Sequence, residues 1–125
     1  MSERSVSFAQ SLVARFPSLK EPLEEHAQAN GGEILPHVFL GEVTRYALSL
    51  LSLVHGSANL GRRRELREML DYLEEVYARG DEELRELISV SFLENLPLPD
   101  EEGAQIRDMV GQNLKKQLRM IERPK

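Results

Sequence analysis

The chain has 125 residues, no cysteine and a net charge of −5, with 41% hydrophobic and 30% charged side chains. That length supports one domain with its own core, and the composition excludes a disordered chain. The lack of cysteine excludes disulfides, thiolate metal sites and cysteine nucleophiles, and it fits a reducing compartment.

The first residues, MSERSVSFAQ, carry charge and no long apolar run, so no secretory signal is expected. The longest apolar stretch, Tyr46 to Val54, falls short of the roughly 20 residues that a membrane span needs. A cytoplasmic location without membrane contact is the expectation.

Phe8, Leu12, Val13 and Phe16 repeat at helical spacing and predict a first helix that stops near Pro17, because proline disfavours a helical residue before it. Leu19, Leu23 and Ala27 predict a second. Ser18 and Glu21 have the spacing of a capping box there, although Pro22 then falls at a poor position. Asn30-Gly31-Gly32 predicts a helix-ending turn. Val43, Tyr46, Ala47, Leu50, Leu51 and Val54 make the stripe of a third helix. Gly56 to Gly61 (GSANLG) reads as a loop.

Leu66, Met69, Leu70, Leu73, Val76 and Tyr77 give a fourth helix, starting near Asn59. Gly80-Asp81 pairs a helix-ending glycine with an N-cap aspartate, so a fifth helix follows within two residues. So short a link favours antiparallel neighbours, like one unit of a helical solenoid. The fifth helix, with its uncharged middle ISVSFL, is expected to run until Pro97 and to be the most buried of the set. Pro97-Leu98-Pro99 forces a break, and Asp100 is placed to cap what comes next. Ile106, Val110, Leu114, Leu118 and Ile121 form the last stripe, which Gly111 is placed to split. No segment alternates with period two. The fold class is therefore all-α: a compact antiparallel bundle of about six helices with a HEAT-like helix pair in the C-terminal half, one domain over residues 1–125.

No catalytic or metal constellation emerges. Glu33 and His37 have ligand spacing, but Pro36 lies between them; His26 and His55 have no convergent partners in sequence. Ser57, Ser89 and Ser91 sit in no nucleophile elbow, and the last two are expected to pack against neighbouring helices and bond back to the preceding turn. GSANLG lacks the lysine and hydroxyl of a phosphate loop. No metal or cofactor is expected. Glu42 and Arg45, spaced i, i+3, are expected to pair beside the core.

Charge is distributed unevenly. Glu65 to Glu102 holds 13 acidic and 3 basic residues; the remainder holds 13 basic and 8 acidic. A general nucleic-acid binder is not expected, since phosphate neutralisation needs a basic surface. Arg62-Arg63-Arg64 crowd the positive end of the fourth helix, where acids are preferred, so they are a candidate contact with an acidic partner patch. The opposite charge of the two halves is also compatible with a homodimer.

Two stretches, LPHVFLGEVTRYALSLL (Leu35 to Leu51) and DEELRELISVSFLENL (Asp81 to Leu96), with the helix between them, resemble a family of small all-helical bacterial proteins. Some of its members look like immunity proteins of polymorphic or contact-dependent toxin systems. The Gly111-Gln112-Asn113-Leu114 turn resembles the family as well. The resemblance implies a binding function and carries no active site. A cognate toxin with a basic groove is then the expected partner. The expected contact surface is the acidic rim of Asp81, Glu82, Glu83, Glu94, Asp100, Glu101 and Glu102, extended by Glu74 and Glu75. Two other readings stand beside it: an adaptor that binds a peptide or partner helix between its helices, and an enzyme with a carboxylate-lined pocket.

Overall fold

A computed structural model describes residues 3–52 and 60–122. Seven α-helices appear among them and no strand: α1 (Glu3–Arg15), α2 (Lys20–Ala29), α3 (Pro36–Ser52), α4 (Leu60–Ala78), α5 (Glu82–Ser91), α6 (Ile106–Met109) and α7 (Gln112–Glu122). Short 3-10 turns at Pro17–Leu19 and Leu93–Asn95 precede α2 and follow α5. The expected all-α class holds, and the last stripe divides at Gly111. Val54, His55, Ser57 and most of the GSANLG loop lie outside the described residues.

Helix α3 is the centre, packing against α1, α2, α4 and α5, while α7 closes the bundle over α4 and the turn after α5. Its apolar stripe is buried from Phe39 through Leu51, and Phe39 and Phe92 are the largest fully enclosed side chains. Pro36 occupies the first position of α3, where a missing N–H costs nothing.

The start of α2 differs from the capping-box expectation. The 3-10 turn runs straight into the helix, Leu19 is its N-cap without a side-chain bond, and Pro22 falls third in the helix. An amide there has no partner within its own helix in any case, so proline is tolerated. At the far end, Gly31 and Gly32 adopt φ of 66° and 89°, and the Gly32 amide donates to the Ala27 carbonyl at 2.7 Å, closing a Schellman turn.

Gly80 (φ 86°) ends α4, and the Asp81 carboxylate accepts from the Leu84 amide at 3.0 Å, as a two-residue link requires. Helix α5, however, stops at Ser91, six residues before Pro97. Phe92 turns inward to complete burial, and this leaves the Ser91 carbonyl without a helical partner. It accepts instead from the Thr44 hydroxyl (3.3 Å) and the Asn95 side-chain amide (2.8 Å). Ser91 Oγ bonds His37 Nδ1 at 2.6 Å, and Ser89 Oγ accepts from Gln117 Nε2 at 3.0 Å. The two serines thus join α5 to α3 and α7 rather than bonding back along their own helix.

Asp100 does not cap the next segment. The N-cap of α6 is Gln105, without a side-chain bond, and it is Glu101 that accepts from the Leu98 amide at 2.6 Å within the turn. Gly103 (φ 88°) lets this turn settle against Pro97 and Leu48, and Arg107 donates to the Pro97 carbonyl at 2.7 Å.

The α6–α7 break has a specific cause. Glu74 of α4 reaches the start of α7, where its carboxylate accepts from the Asn113 and Leu114 amides (3.3 and 3.0 Å) and the Asn113 side chain (2.7 Å). A distant residue supplies the cap, with its negative charge at the positive helix end. Gly111 makes room for it, since a methyl group there would overlap the Glu74 side chain. Gly111→Ala therefore displaces the cap. It should lower unfolding free energy by about 1–2 kcal/mol, and Glu74→Ala by a similar amount, with the double variant well short of additive. Urea denaturation of the three variants measures this.

Candidate functional site

Helix α1 rests on α3 and α5 and leaves a furrow between itself and α4. Tyr72 of α4 forms the bottom. Its ring stacks on Phe8 (6.3 Å between centroids, 28°) and meets Phe16 edge-on (6.2 Å, 61°). A recess of about 720 Å³ lies on one side, floored by Phe8, Tyr72, Val76 and Leu84 and walled by Glu3, Arg4, Ser7, Ser11, Arg79 and Glu83. On the other side a recess of about 510 Å³ is lined by Arg15, Phe16, Glu68, Asp71 and Glu75. Tyr72 belongs to both, so the two form one groove with an aromatic sill.

The arginines around this groove are engaged internally. Arg4 pairs with Asp81 (3.0 Å), Arg79 with Glu75 (2.8 Å), and the Arg15 guanidinium lies 4.5 Å above the centre of the Tyr72 ring. Glu83 accepts a hydrogen bond from the buried Ser5 hydroxyl. Glu3, Glu68 and Asp71 are exposed and make no hydrogen bond or ion pair among the described residues. Three carboxylates against the one unpaired Arg15 guanidinium leave the open charge on the rim negative on balance.

The expected acidic rim does not gather in one place. Asp81, Glu82 and Glu83 stand at the start of α5, whereas Glu94 follows its end, about 15 Å away along a ten-residue helix, and Asp100, Glu101 and Glu102 lie in the turn beyond Pro97. Several of its members hold the fold: Asp81 caps α5, Glu74 caps α7, Glu101 closes a turn, and Glu75 pairs along α4. Glu82, Glu94, Asp100 and Glu102 are exposed and make no such contact among the described residues. Of the expected surface, Glu83 at the α5 start and Glu75 of α4 line the groove. Arg62, Arg63 and Arg64 are exposed on the first turns of α4, about 25 Å along that helix from Asp81. Glu42 and Arg45 pair as expected, on an exposed face where such a pair contributes little.

The groove residues Arg15, Glu68, Asp71 and Tyr72 were not singled out by sequence. For Tyr72 a signal existed: it lies three residues after Met69 and four before Val76, on the edge of the same stripe. For the carboxylates none did, since an exposed glutamate reads the same with or without a groove beside it.

The family model described as Domain of unknown function (DUF7674) matches residues 9–123, nearly the whole chain. The chain belongs to the DUF7674 family. No curated protein matches it, and no solved structure does. The family description assigns no activity, so any function must be argued from the residues of this DUF7674 domain.

Among the described residues no group of three or more histidine, aspartate or glutamate side chains could hold a metal ion. No helix among them is long and apolar enough to cross a membrane. The His37–Ser91 contact has the look of a nucleophile and base, yet Ser91 is 4% exposed and its own carbonyl is tied to Thr44 and Asn95. No substrate can approach it. His26 is buried beneath the α2–α3 loop, where its Nε2 accepts from the Leu35 amide at 2.9 Å; it anchors that loop.

Tyr46 joins α3 to α4 by donating its hydroxyl hydrogen to Glu65. Partial burial and that hydrogen bond raise its pKa above the usual value near 10, while the Ser18 hydroxyl and Arg62 pull it back only in part. Both causes favour the neutral phenol in the folded state. The resulting stabilisation is complete below the unfolded pKa and is lost as pH rises through the higher folded one. Unfolding midpoints should fall above about pH 10 in the wild-type domain and fall less steeply in Tyr46→Phe. Tyrosinate absorbance should show that this variant has lost its contribution from a phenol titrating above the ordinary value.

Proposed function

We propose that the protein is a protein-binding module, that its partner is a bacterial toxin which it neutralises by contact, and that the contact surface is the α1/α4/α5 groove. The observation that carries the reading is the groove itself: a largely buried apolar floor of Phe8, Tyr72, Val76 and Leu84 under a rim where the carboxylates of Glu3, Glu68 and Asp71 and the Arg15 guanidinium make no ion pair among the described residues. Apolar ground surrounded by polar groups is the usual build of a protein contact, with the floor giving affinity and the rim giving approach rate and selectivity. The toxin role comes from the resemblance of Leu35–Leu51 and Asp81–Leu96 to a family of small all-helical bacterial proteins, some of whose members look like immunity proteins. A negative rim also complements a toxin whose own substrate cleft is basic.

An adaptor that takes a peptide between its helices would use the same groove, and the two readings part on whether the partner is inactivated. The test captures the partner from the native host with the full chain, then expresses it alone and together with this protein. The reading expects a partner toxic on its own and harmless in company. Capture by Glu68→Lys/Asp71→Lys should fall by about tenfold with the melting temperature unchanged, because both positions are exposed. Glu94→Lys, just past the far end of α5, should capture normally. A partner harmless without the protein would remove the immunity role, and undiminished capture by the first variant would remove the groove. Asp81 is unsuitable for this test because it caps α5.

A further inference from the structure

We infer that the groove accepts an arginine-bearing segment of its partner, and that Arg15 holds the seat for the incoming guanidinium when no partner is bound. This rests on the groove being the contact surface. Three features identify the seat. The chain's own Arg15 guanidinium already lies 4.5 Å above the Tyr72 ring, so the position is of the right size and polarity for that group. Arg15 is exposed and makes no ion pair among the described residues, so only the ring contact retains it and leaving costs little.

Tyr72 supplies the third. It is 7% exposed and its hydroxyl makes no hydrogen bond among the described residues, yet no buried side-chain oxygen or nitrogen there lacks a partner. The hydroxyl must therefore be the part that reaches the groove, where it is available to an incoming donor. Glu68 and Asp71 stand within the same recess, uncommitted, and Glu75 is present but held by Arg79. A planar cation that stacks on an aromatic face and forks to carboxylates is arginine rather than lysine. Arg15 then acts as an internal competitor: it keeps the aromatic sill covered and is displaced by a partner whose arginine also reaches Glu68 and Asp71, which Arg15 does not bond.

The test titrates a short synthetic peptide of alternating leucine and arginine into the full chain by calorimetry, with the lysine and glutamate versions as comparisons. Wild type should bind the arginine peptide best and the glutamate peptide not at all. Arg15→Gln should bind the arginine peptide about two- to fivefold tighter than wild type, the range of an exposed cation–ring contact. Adding Tyr72→Leu should abolish that gain, whereas adding Tyr72→Phe, which keeps the ring and the packing, should preserve most of it. A circular-dichroism melt confirms that each variant is folded, and the phenylalanine variant serves if the leucine one is not. Equal affinity of wild type and Arg15→Gln overturns the seat, and so does a gain that persists with leucine at position 72, since charge alone would then explain it. Equal binding of lysine and arginine peptides overturns the guanidinium preference. None of these results touches the capture experiment, which alters Glu68 and Asp71 and leaves Arg15 in place, so the groove and the seat fail separately.

Discussion

The fold turns on how α5 ends. A helix that stops at Ser91 leaves a carbonyl inside the protein, and a buried carbonyl without a donor would cost about 1–3 kcal/mol. Thr44 of α3 and Asn95 of the following turn satisfy it, and the Ser91 hydroxyl adds the bond to His37 at the start of α3. These contacts hold α5 against the central helix at a single register. Phe92, fully enclosed by the early stop, fills the space below. Helix α1 rests on the α3–α5 pair that this polar junction joins.

The sequence made the helices legible because burial here is one-sided. Leu66, Met69, Leu70, Leu73 and Val76 repeat every three or four residues and are all buried, and the stripes of α1 and α3 behave alike. The glycines at 31, 32 and 80 announced their turns because the left-handed conformation excludes most other residues. What stayed illegible was set by contacts between distant residues. Nothing local at Ser91 ends a helix; Phe92 is a tolerable helical residue, and only the space beneath α5 draws it inward. Likewise the cap of α7 comes from Glu74, 39 residues before Asn113. Gly111 marked the break without naming the carboxylate that needs the room.

Charge was the least readable feature, and for a definite reason. A glutamate in the sequence counts the same whether it caps a helix, pairs with an arginine or faces water. Of the acidic residues between Glu65 and Glu102, Glu65, Glu74, Glu75, Asp81, Glu83 and Glu101 accept hydrogen bonds or pair within the protein. Their charge is already answered by amides, hydroxyls or guanidinium groups. The field available to a partner comes from those that remain, and near the groove these are Glu3, Glu68 and Asp71. A net charge summed along the chain therefore counts committed and uncommitted carboxylates together and cannot separate them.

The groove and the stability of α5 are also not independent. Asp81 Oδ1 caps α5 through the Leu84 amide while Oδ2 pairs with Arg4 on the groove wall, so one side chain serves both the helix and the wall. Ser5, buried beside Arg4, reaches Glu83 in the first turn of the same helix. The first turn of α1 is thereby fastened to the first turn of α5, and fraying of either loosens the other. The groove wall and the α5 start thus share two carboxylates, Asp81 and Glu83, whereas Glu68 and Asp71 are rim carboxylates that the fold does not use.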